Sequence, residues 1–399
     1  MANKTRGAWW ATVVLFLVHG LVIASWISRI PAVQSLLHLN NFVLGLALLG
    51  SALGAFCAIP ITGIMLGRYG SKRVSVLVGI AFCVSLLLPA LAPNAIALGL
   101  TLFVFGALAA SMDVAMNSQA VEVEDAMRKP TMSRFHAMFS LGAMVGAAIG
   151  GAAAAHGIGT LPHFAVSAVL NALSVLAIGP LLRDTHDPHT SMDHRLPFRK
   201  MPRVLLALSG IGFCILLSEG AMADWTALYL RQVLQAGQGT AAAGYSVFSA
   251  AMAGMRLLGD IVTARMGPLR AVRTGSVMAA LGLAWALSVR HAASAMPAFG
   301  VVGCGFSVII PLVFGSAGRV KGVAPGAGIA TVSGLGYLGF IAGPPLIGFL
   351  SQLFTLRWAL LAVVLCCVVS ALLAGQMRVL ESAKPLVTES DGLGVTGHL

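Results

Sequence analysis

The chain has 399 residues, of which 58% are hydrophobic and 10% charged. A soluble domain carries about 25% charged residues, and a single core of this size cannot hide so much apolar surface from water, so a soluble globular protein is excluded. The net charge of +12 is scattered between apolar runs rather than gathered in one patch, which argues for membrane topology and against nucleic acid as a partner.

Runs of about 20 apolar residues long enough to span a bilayer occur near 8–28, 42–66, 74–92, 95–120, 134–156, 162–182, 204–230, 240–264, 271–289, 294–317, 326–350 and 357–377. The first follows the basic start MANKTR and is longer than the core of a cleaved signal peptide, so it is read as a retained helix. Helices are expected throughout, because open sheet edges cannot face lipid. With the N-terminus in the cytoplasm, 20 of the 25 Lys and Arg residues fall on the cytoplasmic side, and only Arg29, Arg231, Arg290 and Arg357 on the other. That bias places both termini inside, in the cytoplasmic (inner) membrane of the cell. The longest internal polar stretch, 183–203, divides residues 1–182 from 204–378, and a polar tail, expected to be disordered, follows at 379–399. His186, His189 and His194 in the linker match no metal-ligand spacing. The six cysteines all lie in apolar runs, where thiols act as small hydrophobes, so neither a metal nor any other cofactor is expected.

The halves repeat. GIMLGRYGSKR between spans two and three corresponds to DIVTARMGPLR between spans eight and nine, so Arg68-Tyr69-Gly70 answers Arg265-Met266-Gly267. GAMVGAAIGG in span five corresponds to GFIAGPPLIG in span eleven, with three glycines in register. Six spans separate each pair, so the repeats run parallel, a recurrent plan among transporters. The expected fold is an all-α membrane protein of twelve transmembrane helices in two six-helix repeats.

These features resemble the major facilitator superfamily, whose best-known motif sits in the loop between spans two and three. WISRIPAVQ (26–34), MDVAMNSQAVEVE (112–124), SRFHAMFSLGAMVGA (133–147) and EGAMADWTALYLR (219–231) look like the MosC/YbjJ subgroup, and more distantly like fucose–proton symporters. The resemblance implies a polyol-like solute such as rhizopine, and a cavity lined by spans one, four, seven and ten. Departures are visible. Gly67 and Ala264 replace the Asp that precedes the motif Arg, Leu102 stands where drug antiporters often carry an Arg, and Ala147 replaces the proline of the span-five motif. The usual cytoplasmic charge lock and a typical drug exporter are both put in doubt.

Spans three, six, nine and twelve have no charged residue in their interiors. An acid at mid-membrane costs roughly 2.5–3.5 kcal/mol on insertion scales, so each one is a functional candidate. Glu219 lies a little beyond the middle of span seven; Asp224 is about 7.5 Å higher and about 140° around the helix, so the two do not share a face. Glu219, grouped with Thr226, is assigned to the cavity as a proton or substrate site. Asp224 is assigned to the outer interface, with Arg29 as a possible gate partner. In span four Asp113 and Asn117 share a face, as do His136 and Ser140 in span five; an aspartate opposite an imidazole suits a proton relay. Arg256 and Asp260 have i,i+4 spacing and are read as a structural latch beside the Arg265 loop, with Arg68 its counterpart. For His19, cavity lining and core packing stand equal, and Tyr337 is a weaker cavity candidate. Gly142, Gly146 and Gly150 allow close helix contact, and Gly343-Pro344 is a candidate hinge. Glu122, Glu124 and Asp125 are assigned to solvent.

No P-loop, nucleophile–base set or metal site is present in the sequence, so neither an ATP-driven pump nor an enzyme is expected. The reading is a monomeric secondary transporter of a small polar solute, coupled to protons, within a lipid bilayer. Efflux of amphipathic compounds, or a non-transporting sensor on the same scaffold, are the alternatives.

Overall fold

The computed structural model describes residues 2–129, 131–183 and 201–378, the side chains of residues 2, 3, 260 and 325 excepted. The predicted tail, most of the linker, and with it His186, His189 and His194, lie outside the described residues. The first half carries α1 (Ala2–Leu36), α2 (Asn41–Tyr69), α3 (Ser71–Ser85), α4 (Ala95–Met127), α5 (Met132–Ala155) and α6 (Thr160–Ile178). The second carries α7 (Arg203–Gln232), α8 (Gln238–Leu257), α9 (Gly259–Met266), α10 (Pro268–Ser288), α11 (Ala292–Phe306), α12 (Ile309–Ala317), α13 (Pro325–Leu353), α14 (Leu356–Ala359) and α15 (Leu361–Leu373). Every described element is helical.

Three predicted spans are divided. Span eight is α8 plus α9, parted at Leu258; span ten is α11 plus α12, parted at Ser307 and Val308; span twelve is α14 plus α15, parted at Leu360. Eleven helical stretches among the described residues are long and apolar enough to cross a membrane. The eighth predicted span does not qualify, its helix being diluted by Tyr245, Ser246, Ser249 and Arg256. At the candidate hinge, α13 is helical through Pro344 and Pro345.

The repeat visible in the sequence is a repeat in space. A Cβ on Gly142 would meet the Leu17 carbonyl and one on Gly146 the Leu21 backbone, so span five lies flush on span one. In the second half a Cβ on Gly339 would meet the Phe213 carbonyl, and Gly343 faces Leu217, so span eleven lies on span seven in the same way. Small residues are what allow such backbone approach in a bilayer. The two R-x-G loops share a backbone conformation: Gly70 has φ 79° and ψ 154°, Gly267 φ 77° and ψ 161°. That region is essentially restricted to glycine, which explains the third letter of the motif. The outer surface is apolar, with Ile96 77%, Leu372 72% and Leu281 66% exposed, as a lipid-facing wall must be.

The halves meet along two seams, α2 with α13 and α5 with α8. In the first, a Cβ on Gly45 would meet the Pro344 carbonyl and one on Gly348 would meet Asn41 and Gly45. In the second, a Cβ on Gly151 would come within 3.0 Å of Ala242 and 3.2 Å of the Gly239 carbonyl. All these contacts lie toward the end of the bundle opposite the termini.

Candidate functional site

A cavity of about 910 Å³ separates the halves. Its walls come from α4 and α5 of the first half and from α7, α8, α9, α12 and α13 of the second, with Ser307 and Val308 from the break in span ten. It reaches Ser133 at the start of α5 and Thr263 and Ala264 near the end of α9, at the end of the bundle that carries the termini. Asp113, Asn117, His136, Glu219, Arg256 and Tyr337 all line it. Six candidates from five spans are thus brought to one chamber.

Arg256 is central. Its Nη1 donates to Ser140 Oγ at 2.9 Å, its Nε to the Ser307 carbonyl at 3.3 Å, and its Nη2 stands 3.9 Å from Glu219 Oε1. The Ser307 carbonyl is free to accept for a local reason. Its helical partner would be the backbone N–H four residues on, and that position is Pro311, which has none. The proline therefore turns a carbonyl at a broken helix into a clamp for a guanidinium, in keeping with the use of discontinuous helices at transport sites. Ser140 belongs to the first half and Arg256 to the second, so the bond spans the seam between them. Glu219–Arg256 is the one ion pair within 4.0 Å among the described residues. At 3.9 Å it is a loose pair, not a tight bidentate one.

Asp113 has no cationic partner among the described residues. Its Oδ1 accepts from Asn117 Nδ2 at 3.2 Å, and the same amide donates to the Asp113 carbonyl at 2.8 Å. Asp113 and His136 face one chamber without a hydrogen bond between them. The His136 ring meets Phe16 edge-on at 5.3 Å. Tyr337 lies against Phe340, ring centroids 5.9 Å apart, and with Phe139, Met116, Met132 and Leu312 gives the chamber a partly apolar wall.

Several candidates are placed elsewhere. His19 is buried between Phe82 and Phe139, at 5.2 and 5.4 Å, with neither ring nitrogen bonded. Span one supplies none of the residues lining this cavity, contrary to what the resemblance implied. Thr226 is buried against Gly244 of α8 rather than facing the chamber. Arg29 does not pair with Asp224; it is 3% exposed and its Nη2 donates to the Ile158 carbonyl. The Arg256–Asp260 latch is not supported by helix continuity, since the break at Leu258 falls between them, and the Asp260 side chain lies outside the described residues. Arg68 stacks over Tyr69 at 5.3 Å from the ring centroid, and no partner holds Arg265 among the described residues. Gly150 packs against Ser28 and His163.

Asp125 at the end of α4 is exposed as expected, but Glu122 and Glu124 are held by protein groups rather than by solvent, a correction to the expectation above. Ser71 donates to Glu122 at 2.7 Å, and Gln119 donates to Ser71 and to the Arg183 carbonyl, both at 2.7 Å. Glu124 Oε2 accepts from the Thr131 and Met132 amides at 2.6 and 2.8 Å, capping α5. The motif loop, lacking its Asp at Gly67, is thus held through Ser71.

At the opposite end three carboxamides join the halves. Gln34 Nε2 donates to Asn41 Oδ1 at 2.8 Å, Gln232 Nε2 to Gln34 Oε1 at 2.9 Å and to Asn41 Oδ1 at 3.1 Å, and Asn41 Nδ2 to Gln232 Oε1 at 3.0 Å. No sequence pattern marked these residues. Polar side chains at helix ends read as ordinary solvated loops until the loops are brought together.

A chamber between two parallel six-helix repeats, open toward one end and closed at the other, defines a secondary transporter, and residues 8–324 match the Major Facilitator Superfamily. The chain belongs to that family. It is 34% identical over 353 residues to an uncharacterised MFS-type transporter of Yersinia pestis, covering 88% of this chain and 90% of that one. It is 30% identical over 350 residues to the membrane protein MosC of Rhizobium meliloti, covering 88% and 85%. Among solved structures, a variant of the nucleoside transporter NupG superposes with a TM-score of 0.74 at 14% identity, covering 93% of this chain and 99% of that one. The last likeness shows the fold alone. The chain is a multi-pass membrane transporter and not an enzyme.

Proposed function

We propose that this transporter moves a small, neutral, polar solute of the sugar, polyol or inositol class by alternating access, coupled to protons through Glu219 and Asp113. The proposal places it in the cytoplasmic membrane as a monomer with both termini inside, so that the chamber described above opens to the cytoplasm. One observation carries the reading: two carboxylates from opposite halves line one chamber, one loosely paired with Arg256 and the other with no cationic partner among the described residues. A group that gains a proton in one state and loses it in the other shifts the balance between states by its differential interactions. Glu219 is suited to that work, because its protonation frees Arg256 from the loose pair to meet the solute. Asn117, Tyr337, Ser133 and Thr263 supply hydroxyl and amide partners for a hydroxylated solute. The wall of Phe139, Phe340, Leu312 and Phe314 favours a second reading, efflux of amphipathic compounds, in which the polar groups act on protons alone.

The test is proton movement in proteoliposomes on addition of a panel of sugars, inositols, nucleosides and amphipathic dyes. A pH change with a hydroxylated solute, lost in Glu219→Gln with solute binding retained, is expected. Response to dyes alone favours the second reading. Folded protein that answers nothing across the panel contradicts both and leaves a non-transporting sensor.

A further inference from the structure

A second concavity, of about 420 Å³, lies at the terminus-bearing end, away from the chamber, and is lined by Met266, Leu269, Arg270, Arg273, Thr274 and Arg378. We propose that it is a binding site for the phosphate headgroup of an anionic glycerophospholipid from the adjoining leaflet.

Three arginines converge on it, from the first two turns of α10 and from the residue that ends span twelve. None of its lining residues is acidic. Arg273 is already positioned. Its Nε donates to the Ala371 carbonyl at 3.2 Å, and a Cβ on Gly375 would come within 3.0 Å of its Nη2, so the glycine leaves room for the guanidinium. Arg270 is exposed, and no described residue bonds its side chain. Its hydrogen bond from Thr274 at 2.8 Å is made by the backbone carbonyl.

Two features point to a lipid rather than to free phosphate. The lining mixes guanidinium groups with a thioether and a leucine, which suits an amphiphile. The pocket also heads an apolar stripe on α10. From Arg270 and Thr274 the same helix face continues through Val277, Leu281 and Trp285, which are 42%, 66% and 43% exposed, at spacings of three and four residues. A lipid whose phosphate sits among the arginines would lay its acyl chains along that stripe. Basic pockets between helices at a membrane surface recognise anionic headgroups in this way. The site adjoins the Arg265-Met266-Gly267 turn, so its occupant would brace the loop linking spans eight and nine. The inference rests on the membrane orientation of this end and not on the identity of the solute.

The test is thermal stability and lipid retention of the full-length protein in nanodiscs of phosphatidylcholine alone, or with added phosphatidylglycerol. Wild type is expected to gain stability from phosphatidylglycerol. Apparent lipid affinity is expected to fall about fivefold in Arg270→Gln and on the order of twenty-five-fold in Arg270→Gln/Arg273→Gln, while Lys321→Gln, an exposed cation at the same end, changes little. Because Arg273 also braces Ala371, the single Arg270→Gln variant decides the matter if the double variant does not fold. Equal loss in Lys321→Gln would reduce the effect to diffuse surface charge and overturn the site. The same stabilisation from inorganic phosphate in phosphatidylcholine discs would assign the pocket to a free anion and overturn the lipid.

Discussion

Arg256 holds three kinds of acceptor at once: a hydroxyl of the other half, a carbonyl left open by a proline, and a carboxylate. The planar, forked guanidinium makes that possible, and an ammonium on a flexible stem does not. Arg256→Lys is therefore expected to fail almost as fully as Arg256→Gln, each lowering initial uptake at least on the order of tenfold, equivalent to about 1.4 kcal/mol. Transport at wild-type rate in the Lys variant would show that charge alone is needed there. Asp113→Asn tests the other carboxylate. If Asp113 carries protons, the variant should exchange solute across the membrane without concentrating it; unimpaired accumulation would confine coupling to Glu219. His19 is a useful contrast, being as buried as any of these groups yet enclosed by Phe82 and Phe139. Substitution of His19 by Leu is expected to leave transport largely intact, measured by the same uptake assay.

Glycine decides how the helices meet. Gly142 and Gly339 occupy matching positions, each with a neighbouring carbonyl where a side chain would begin. Gly142→Val or Gly339→Val should lower the thermal midpoint in detergent by the equivalent of at least about 1–3 kcal/mol, the usual cost of overpacking. No loss in either would mean that the helices can separate freely. Gly70→Ala tests the loop, where the φ of 79° should cost about 1–3 kcal/mol. This is also the scale at which the sequence is most readable. The twelve spans, the parallel repeat and the glycine register follow from apolar run length and spacing, because lipid forbids most alternatives. The breaks at Ser307 and Leu360 were not legible, since an apolar run continues through each of them; the break at Leu258 falls between Arg256 and Asp260, whose i,i+4 spacing reads as continuous helix. Pro311 carried a usable signal: a proline removes one donor, and the carbonyl four residues before it must find another. At Pro344-Pro345 the same loss leaves the helix unbroken, since a covered helix can absorb it. Of the site, the mid-membrane acids were legible one at a time. Which cation each would meet was not, because partners such as Ser140 and Arg256 lie 116 positions apart.

Across the molecule, closure at one end rests on neutral groups. Gln34, Asn41 and Gln232 make three hydrogen bonds between the halves, each worth about 0.5–1.5 kcal/mol net. Their sum is a few kcal/mol, the size of gap that separates two populated conformers. An amide clasp carries no charge between pH 4 and 9, so salt and pH should affect the opening of this end only through the chamber, not through the clasp. Gln232→Ala is expected to favour the state open at the clasp end, seen as faster labelling of a cysteine placed at Ser35. The central claim is that the halves rock about the chamber, one end opening as the other closes. Its most direct measurement uses two spin-label pairs in the reconstituted full-length protein, Ser35→Cys with Gln235→Cys at the clasp end and Lys129→Cys with Arg265→Cys at the terminus-bearing end. On addition of transported solute and an imposed pH gradient, the first pair should move apart while the second draws together. Distances at both ends that stay fixed, or that lengthen together, would contradict the account.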